Sequence, residues 1–266
     1  MLLLHAAGCD RTFLRAHPEH ELTDLQQLHY ARYLHERLQG RPTQYITGRQ
    51  EFWGLEFRVN PSVLIPRPET EHVVEIAECR LKIADCKSPR IVDCGAGSGC
   101  IAIALAHDFQ AAQVLAGDIS ADALRTAFEN ARRLGVADRV HFFQGDLLAC
   151  LPDACVDLVV SNPPYVASND AATLQREVRE HEPHQALFAG EDGLATYRRL
   201  IPEAARVLRP GAWLVLELGY NVGEQVRAMF AGAWDSLQID KDLAGIDRVL
   251  SARSSPAPNP QLPSPK

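Results

Sequence analysis

The alternation that starts at Arg90 constrains this chain more than any other feature. Short apolar runs at 91–94, 113–117, 140–144, 156–161 and 213–218 are separated by stretches of helical periodicity at 100–106, 121–134 and 195–208. The last helix is closed by Arg209-Pro210-Gly211. Runs of strand length without polar alternation suit strands covered on both faces, as in a parallel sheet with helices on each side. Parallel neighbours need a crossover, which the intervening helices supply. After a further helix over 222–230, two runs at 236–240 and 248–251 are separated by only a short Gly-containing loop, which suits a terminal antiparallel pair. The expected fold is α/β: a doubly wound, mostly parallel, seven-stranded Rossmann-like sheet.

Upstream of residue 90 the pattern differs. Leu22, Leu25, Leu28, Tyr30, Tyr33, Leu34 and Leu38 recur at three- and four-residue spacing, so a helix is expected over 22–38. Thr23 or Asp24 suits its N-cap, and Gly40 and Pro42 lie beyond its end. Phe52, Trp53, Leu55, Phe57 and Val59 are strand formers interrupted by Gly54 and ended by Asn60-Pro61, so a hairpin is expected over 51–64. Pro66-Arg67-Pro68 forms a stiff joint before a helix over 69–83. The expected organisation is a helical part at 1–48, a linking hairpin at 49–65, the main domain at 66–253 and a disordered Pro/Ser-rich tail at 254–266.

Charge and cysteine usage narrow the function classes. The net charge of -7 and the lack of a Lys/Arg block argue against direct nucleic-acid binding, where phosphate neutralisation supplies most of the affinity. Arg32, Arg37, Arg41 and Arg49 gather mildly and read as a solvated helix face and loop. Seven cysteines, with no Cys-x-x-Cys pair, read as reduced and structural, which places the protein in the cytoplasm with no metal site. The apolar start at Met1 is too short for a secretory segment or a membrane span. A soluble monomer is expected.

The first strand of the alternation ends at Asp93-Cys94-Gly95-Ala96-Gly97-Ser98-Gly99. Glycines at alternate positions turn the backbone tightly and let a ligand approach the main chain. The second strand ends at Asp118, which can accept from both hydroxyls of a ribose, and the third at Gly145-Asp146, where a carboxylate can reach an adenine amine. The Gly-x-Gly-x-Gly spacing differs from the Gly-x-Gly-x-x-Gly of dinucleotide folds, and Asp146 would oppose a second nucleotide's phosphates. S-adenosylmethionine, a sulfonium without phosphate, fits this set better than a nicotinamide cofactor.

The fourth strand ends in Ser161-Asn162-Pro163-Pro164-Tyr165. Two prolines stiffen this loop and keep Asn162 out of the helical region. The Asn162 side-chain oxygen and the Pro163 carbonyl can together accept both hydrogens of a planar –NH2 group, while Tyr165 offers an aromatic surface for its plane. Accepting both hydrogens raises electron density on a nitrogen whose lone pair is delocalised, and aims it at a methyl donor. The expected chemistry is methyl transfer to an amide or exocyclic amine, with Asn162, Pro163 and Tyr165 as catalytic residues.

With these residues assembled, the chain resembles the HemK/PrmC family of release-factor glutamine methyltransferases. The likeness runs over about 44–251 and rests on Gln44-Tyr45-Ile46-Thr47-Gly48, Glu51-Phe52-Trp53-Gly54-Leu55, Leu64-Ile65-Pro66-Arg67-Pro68-Glu69-Thr70-Glu71, the glycine loop, Asp118-Ile119-Ser120, Asn162 to Tyr165, Glu182-Pro183 and Asp247-Arg248-Val249. The resemblance implies a methyltransferase sheet and transfer from S-adenosylmethionine to the glutamine of the Gly-Gly-Gln motif in peptide-chain release factors. It further implies that Gly95, Ala96, Gly97, Ser98, Gly99, Asp118, Leu147 and Asn162 bind the cofactor. It assigns Asn162, Pro163, Pro164 and Tyr165 to the glutamine, and the helical N-terminal part to gripping the release factor. That part is shorter than is usual in the family, and the expectation is either a truncated domain or a start placed too late. Asn-Pro-Pro-Tyr is shared with adenine DNA methyltransferases, so an N6-adenine enzyme is the first rival. A non-catalytic S-adenosylmethionine-binding adapter is the second.

Overall fold

The computed structural model describes residues 1–255. The N-terminal part holds α1 (Leu2–Ala7), α2 (Arg11–Ala16), α3 (Asp24–Leu38) and α4 (Thr43–Thr47). Thr23 caps α3: its hydroxyl accepts from Gln26 N while the Gln26 side chain accepts from Thr23 N, a reciprocal capping box. The expected apolar stripe of α3 is not a core face. Leu25 and Leu28 are 62% and 66% exposed, and Tyr33 is the buried residue of this helix. The four gathered arginines each meet a carboxylate: Arg32 and Arg41 on Glu36, Arg37 on Glu177 and Arg49 on Glu56.

The hairpin is shorter than its sequence pattern, with β1 (Arg49–Phe52) and β2 (Leu55–Arg58). Its two-residue turn puts Trp53 at φ 55 and Gly54 at φ 69, the twist that matches right-handed strands. Phe52 and Phe57 are fully buried against the main domain. A 3₁₀ turn (Pro68–Thr70) then leads into α5 (Glu71–Ile83).

The main domain contains β3 (Arg90–Cys94), α6 (Cys100–Asp108), β4 (Gln113–Asp118), α7 (Ala121–Arg133), β5 (Val140–Gln144) and β6 (Val156–Ser161). An insertion with a 3₁₀ turn (Ser168–Thr173), α8 (Arg176–His181) and α9 (His184–Leu187) had no periodic signal in the sequence. Next come α10 (Ala195–Val207), β7 (Leu208–Glu217), α11 (Gly223–Arg227), β8 (Trp234–Lys241) and β9 (Asp247–Ser254). Arg209-Pro210-Gly211 does not end a helix in a loop. β7 already begins at Leu208, and the tripeptide bulges inside it: Val156 pairs with Leu208 but Leu158 with Trp213. Ser254, foreseen as the first residue of the tail, instead pairs with Trp234 in the sheet, and 256–266 lie outside the described residues.

The seven strands run in the order β5-β4-β3-β6-β7-β9-β8, with β9 antiparallel to both neighbours. This is the expected doubly wound, mostly parallel seven-stranded sheet. Strand alternation divides the core: Ile91, Leu158, Trp213 and Val215 face α5 and α6, whereas Val92, Val159, Leu214 and Leu216 face α10. The same alternation sends two acids, Asp93 and Glu217, to the α5/α6 side, both fully buried. The chain winds outward from β3 through β4 to β5, then returns to place β6 on the other flank of β3. That reversal opens a crevice over the carboxyl ends of β3 and β6. Among the described residues no helix is long and apolar enough to cross a membrane.

Candidate active site

The crevice holds a cavity of about 290 Å³. Its floor is the β3–α6 loop, where Gly95, Gly97 and Gly99 take φ values of 80, 55 and 81. Around Gly95 and Gly97 a Cβ would meet open space, while at Gly99 it would press on Ile103 and Ala127 at 3.0 and 3.1 Å. The first two glycines therefore bare the backbone to the cavity, and the third permits α6 to pack on α7. Asp118 is held from two sides: Oδ2 accepts from Gly97 N and Oδ1 from Ser120 N, both at 2.9 Å. Each oxygen keeps a lone pair for a further donor.

Asp146 and Leu147 line the same cavity, with Leu147 in the left-handed region at φ 51. Asp146 Oδ2 accepts from Arg199 at 2.7 Å. Arg67, the other arginine of the cavity, is tied to Glu182 at 2.5 Å. With both cations matched by carboxylates, the cavity has no spare positive charge for a phosphate. Its carboxylates and bared backbone instead suit a cationic, phosphate-free ligand with a ribose, so S-adenosylmethionine fits the residues present. Asp93 sits beneath the loop. Its Oδ2 accepts from Ala102 N at 3.0 Å and its Oδ1 has no partner among the described residues. Burial, with the Asp118 charge nearby, raises this carboxyl to about 7.

Asn162 and Pro164 line the cavity at the end of β6. Asn162 Nδ2 donates to Thr70 Oγ1 at 3.0 Å, and Thr70 Oγ1 donates to Glu217 Oε2 at 2.6 Å. Asn162 Oδ1 makes no hydrogen bond with the described residues. Pro163 is buried, and no described backbone amide donates to its carbonyl. Tyr165 lies apart from the first cavity. It lines a second, polar cavity of about 420 Å³ with Arg67, Glu69, Glu182, Glu217 and Arg248. Its ring packs on Gly219 and its hydroxyl donates to Glu217 Oε1 at 3.4 Å. Burial and the Glu217 charge hold the Tyr165 phenol well above its usual value. Burial likewise raises Glu217 to about 7, opposed by the Thr70 hydrogen bond and by Arg248. Arg67 borders both cavities, so the wall between them is Asn162, Thr70, Glu217 and Tyr165.

Glu182, whose side chain is 1% exposed, accepts from Arg67 and from Ile65 N at 3.2 Å. It thereby fastens the insertion after β6 to the linker between the two cavities.

Two stretches match known domains: 80–186 the methyltransferase small domain, and 1–48 the PrmC N-terminal domain. The ribosomal protein L11 methylase of Lactobacillus delbrueckii subsp. bulgaricus shares the fold, with a TM-score of 0.52 and 24% identity over 75% of this chain and 85% of that one. The release factor glutamine methyltransferase of Koribacter versatilis is 43% identical over 95% of this chain and 89% of its own length. That of Moorella thermoacetica is 46% identical over 95% and 89%. The chain belongs to the release factor glutamine methyltransferase family.

For this family member the fold gathers Gly95, Ala96, Gly97, Ser98, Asp118, Asp146, Leu147 and Asn162 at one cavity, whereas Gly99, also expected to bind the cofactor, packs against Ile103 and Ala127 instead. Sequence reasoning found the rest of this set. It overlooked Thr70 and Arg199, and it took Glu217 for part of an apolar run. The signal for Glu217 was present, since it is an acid that closes a buried strand just as Asp118 does. Thr70 had no such mark. Only the packing of the Pro68–Thr70 turn against β6 brings it to Asn162.

Proposed function

We propose that this chain transfers a methyl group from S-adenosylmethionine to the side-chain amide nitrogen of the glutamine in the Gly-Gly-Gln motif of peptide-chain release factors. The observation that carries the reading is Asn162: its Nδ2 donates one hydrogen to Thr70, which leaves its oxygen turned away from Thr70 and without a partner among the described residues at the carboxyl edge of β6. Gly95 to Ser98, Asp118, Asp146 and Leu147 would hold S-adenosylmethionine, which would supply a methyl group on a positively charged sulfur that leaves as a neutral thioether. The chain's own part is to hold the acceptor. Asn162 Oδ1 and the Pro163 carbonyl take the two N–H hydrogens of a carboxamide, which turns its lone pair toward the cofactor side. Tyr165 flanks the amide plane from the second cavity, and Pro164 closes the rim. Alignment of this kind contributes on the order of 7–11 kcal/mol to such displacements. No strong base is needed, because a methylated amide nitrogen releases its proton readily to water.

The relatives' names point to release factors as the protein substrate. The seven free cysteines suit the reducing cytosol in which translation takes place. The test is methyl transfer from labelled S-adenosylmethionine to purified release factor, with duplex DNA and a release factor carrying Gln→Ala in the motif as parallel substrates. Label on the intact factor alone supports the proposal. Label on DNA alone replaces the amide with an adenine amine and leaves only the fold and cofactor site.

A further inference from the structure

Asparagine presents an oxygen at one end of its amide and an –NH2 at the other, and only the oxygen can serve an incoming N–H. Something must select between the two orientations. We propose that Thr70 and Glu217 form a positioning relay that selects the acceptor orientation of Asn162, an inference that rests on the reading of Asn162 given above.

Thr70 occupies the N-cap position of α5, where a threonine hydroxyl ordinarily accepts from the helix's own free amides. Here it makes no capping bond. Its single hydroxyl proton goes to Glu217 Oε2 at 2.6 Å, and its oxygen faces Asn162 Nδ2 at 3.0 Å. With Glu217 ionised, above its pKa of about 7, a hydroxyl that has given its proton to the carboxylate can only accept from its other neighbour. Asn162 must then offer N–H to Thr70 and point Oδ1 away from it. Thr70 and Glu217 are 2% and 1% exposed, so water does not compete for these bonds.

Glu217 is itself fixed from several sides. Tyr165 donates to its other oxygen. The Tyr197 hydroxyl donates to its backbone carbonyl at 2.8 Å, and Arg248 lines the cavity on its open side. The relay thus spans the wall between the two cavities and links the two ends of Asn-Pro-Pro-Tyr, Asn162 directly and Tyr165 through the carboxylate. Thr70 lines the first cavity and Glu217 the second. They act by holding Asn162 and Tyr165.

The experiment compares Thr70→Val, which keeps the shape without the hydroxyl, with Thr70→Ser, which keeps the hydroxyl. In Thr70→Val, kcat with release factor is expected to fall roughly ten- to hundredfold, the cost of misplacing a reacting group by about 1 Å. The Kd for S-adenosylmethionine should change far less than kcat, since the acceptor amide depends on the Asn162 oxygen more than the cofactor does. Thr70→Ser should restore kcat to within roughly threefold of wild type. A substrate-free readout stands beside the kinetics. In enzyme labelled with 15N-asparagine, one Asn162 Nδ2 proton, assigned by its loss in Asn162→Ala, should exchange slowly with solvent in wild type and Thr70→Ser and rapidly in Thr70→Val. Wild-type kcat in Thr70→Val overturns the relay, as does a Thr70→Ser enzyme as slow as Thr70→Val. A fast-exchanging Asn162 proton in the wild type overturns it as well. If the wild type methylates no release factor, the functional reading fails and the exchange measurement alone decides the relay.

Discussion

Replacing Asp93 by asparagine should change how folding stability depends on pH, by an amount that follows from the position of this one carboxyl. Asp93 is fully buried, and one of its oxygens accepts from Ala102 N while the other has no partner among the described residues. Its pKa in the folded chain is about 7, against an ordinary 3.8 for an exposed aspartate. The folded state therefore keeps a proton at pH values where the unfolded chain has released it. By linkage, stability falls as pH rises from about 4 and stops falling above about 7. At about 1.36 kcal/mol per pH unit the whole interval is worth about 4 kcal/mol, of which roughly 3 falls between pH 5 and pH 8. The asparagine side chain would be neutral throughout and escape this loss. Its amide hydrogens would bring a pH-independent penalty, which cancels when the variant-minus-wild-type difference at pH 5 is subtracted from that at pH 8. Urea unfolding followed by tryptophan fluorescence at the two pH values gives both differences. Asp93→Asn should gain about 3 kcal/mol on wild type between pH 5 and pH 8. A difference that stays constant to within about 1 kcal/mol would refute the argument that Asp93 is buried without adequate compensation. A buried acid kept at this cost beneath Gly95 to Gly99 accords with the usual trade of stability for a binding site.

Three further outcomes can be checked by similar means. Gly99→Ala places a Cβ 3.0 Å from Ile103 and 3.1 Å from Ala127 at φ 81, and should cost roughly 2–4 kcal/mol; an unchanged melting temperature would contradict the tight α6–α7 contact. Gly219→Ala drives a Cβ onto the Tyr165 ring at 2.9 Å, so turnover should fall several-fold while S-adenosylmethionine affinity, measured by calorimetry, stays near wild type. Glu182→Ala strips the partner from Arg67 and leaves the buried Ile65 N–H unsatisfied, at a cost of about 2–4 kcal/mol with Arg67 partly solvated. Glu182→Gln should recover about half of that in urea unfolding, because it still accepts from Ile65.

Much of the fold was legible in order. The runs at 91–94 and 113–117 are β3 and β4 to within a residue or so, because a strand buried on both faces admits few polar side chains and is bounded by turn residues, and 140–144 is β5, a partly exposed edge strand. Where the reading slipped, tertiary contacts prevailed over local signals. Arg209-Pro210-Gly211 has the composition of a turn, and it does bulge, but pairing with β6 on either side keeps it within β7. The spacing of Leu25 and Leu28 is that of a core-facing helix, yet among the described residues no element covers them, and periodicity carries no information about whether a partner is there. The insertion with α8 and α9 is built from helices of six and four residues, too short to show a period.

The candidate site divides along the same line. Sequence by itself determined the groups placed by their own strand: Gly95 to Gly99, Asp118, Asp146 and Asn162 each follow a strand end, and strand ends in a parallel sheet lie together by construction. It also determined the stiffness of the Asn162 loop, through two prolines. Only the tertiary structure decided which way those groups are turned. Asp118 is aimed by amides 21 and 2 residues away, and Asp146 is paired with Arg199 from 53 residues away. Asn162 is oriented by Thr70 across 92 residues, and Thr70 by Glu217 across 147. A hydrogen bond between such distant positions leaves no periodic trace in the chain. It exists because the sheet order brings β6, β7 and the start of α5 to one place, where buried polar groups must find partners in one another.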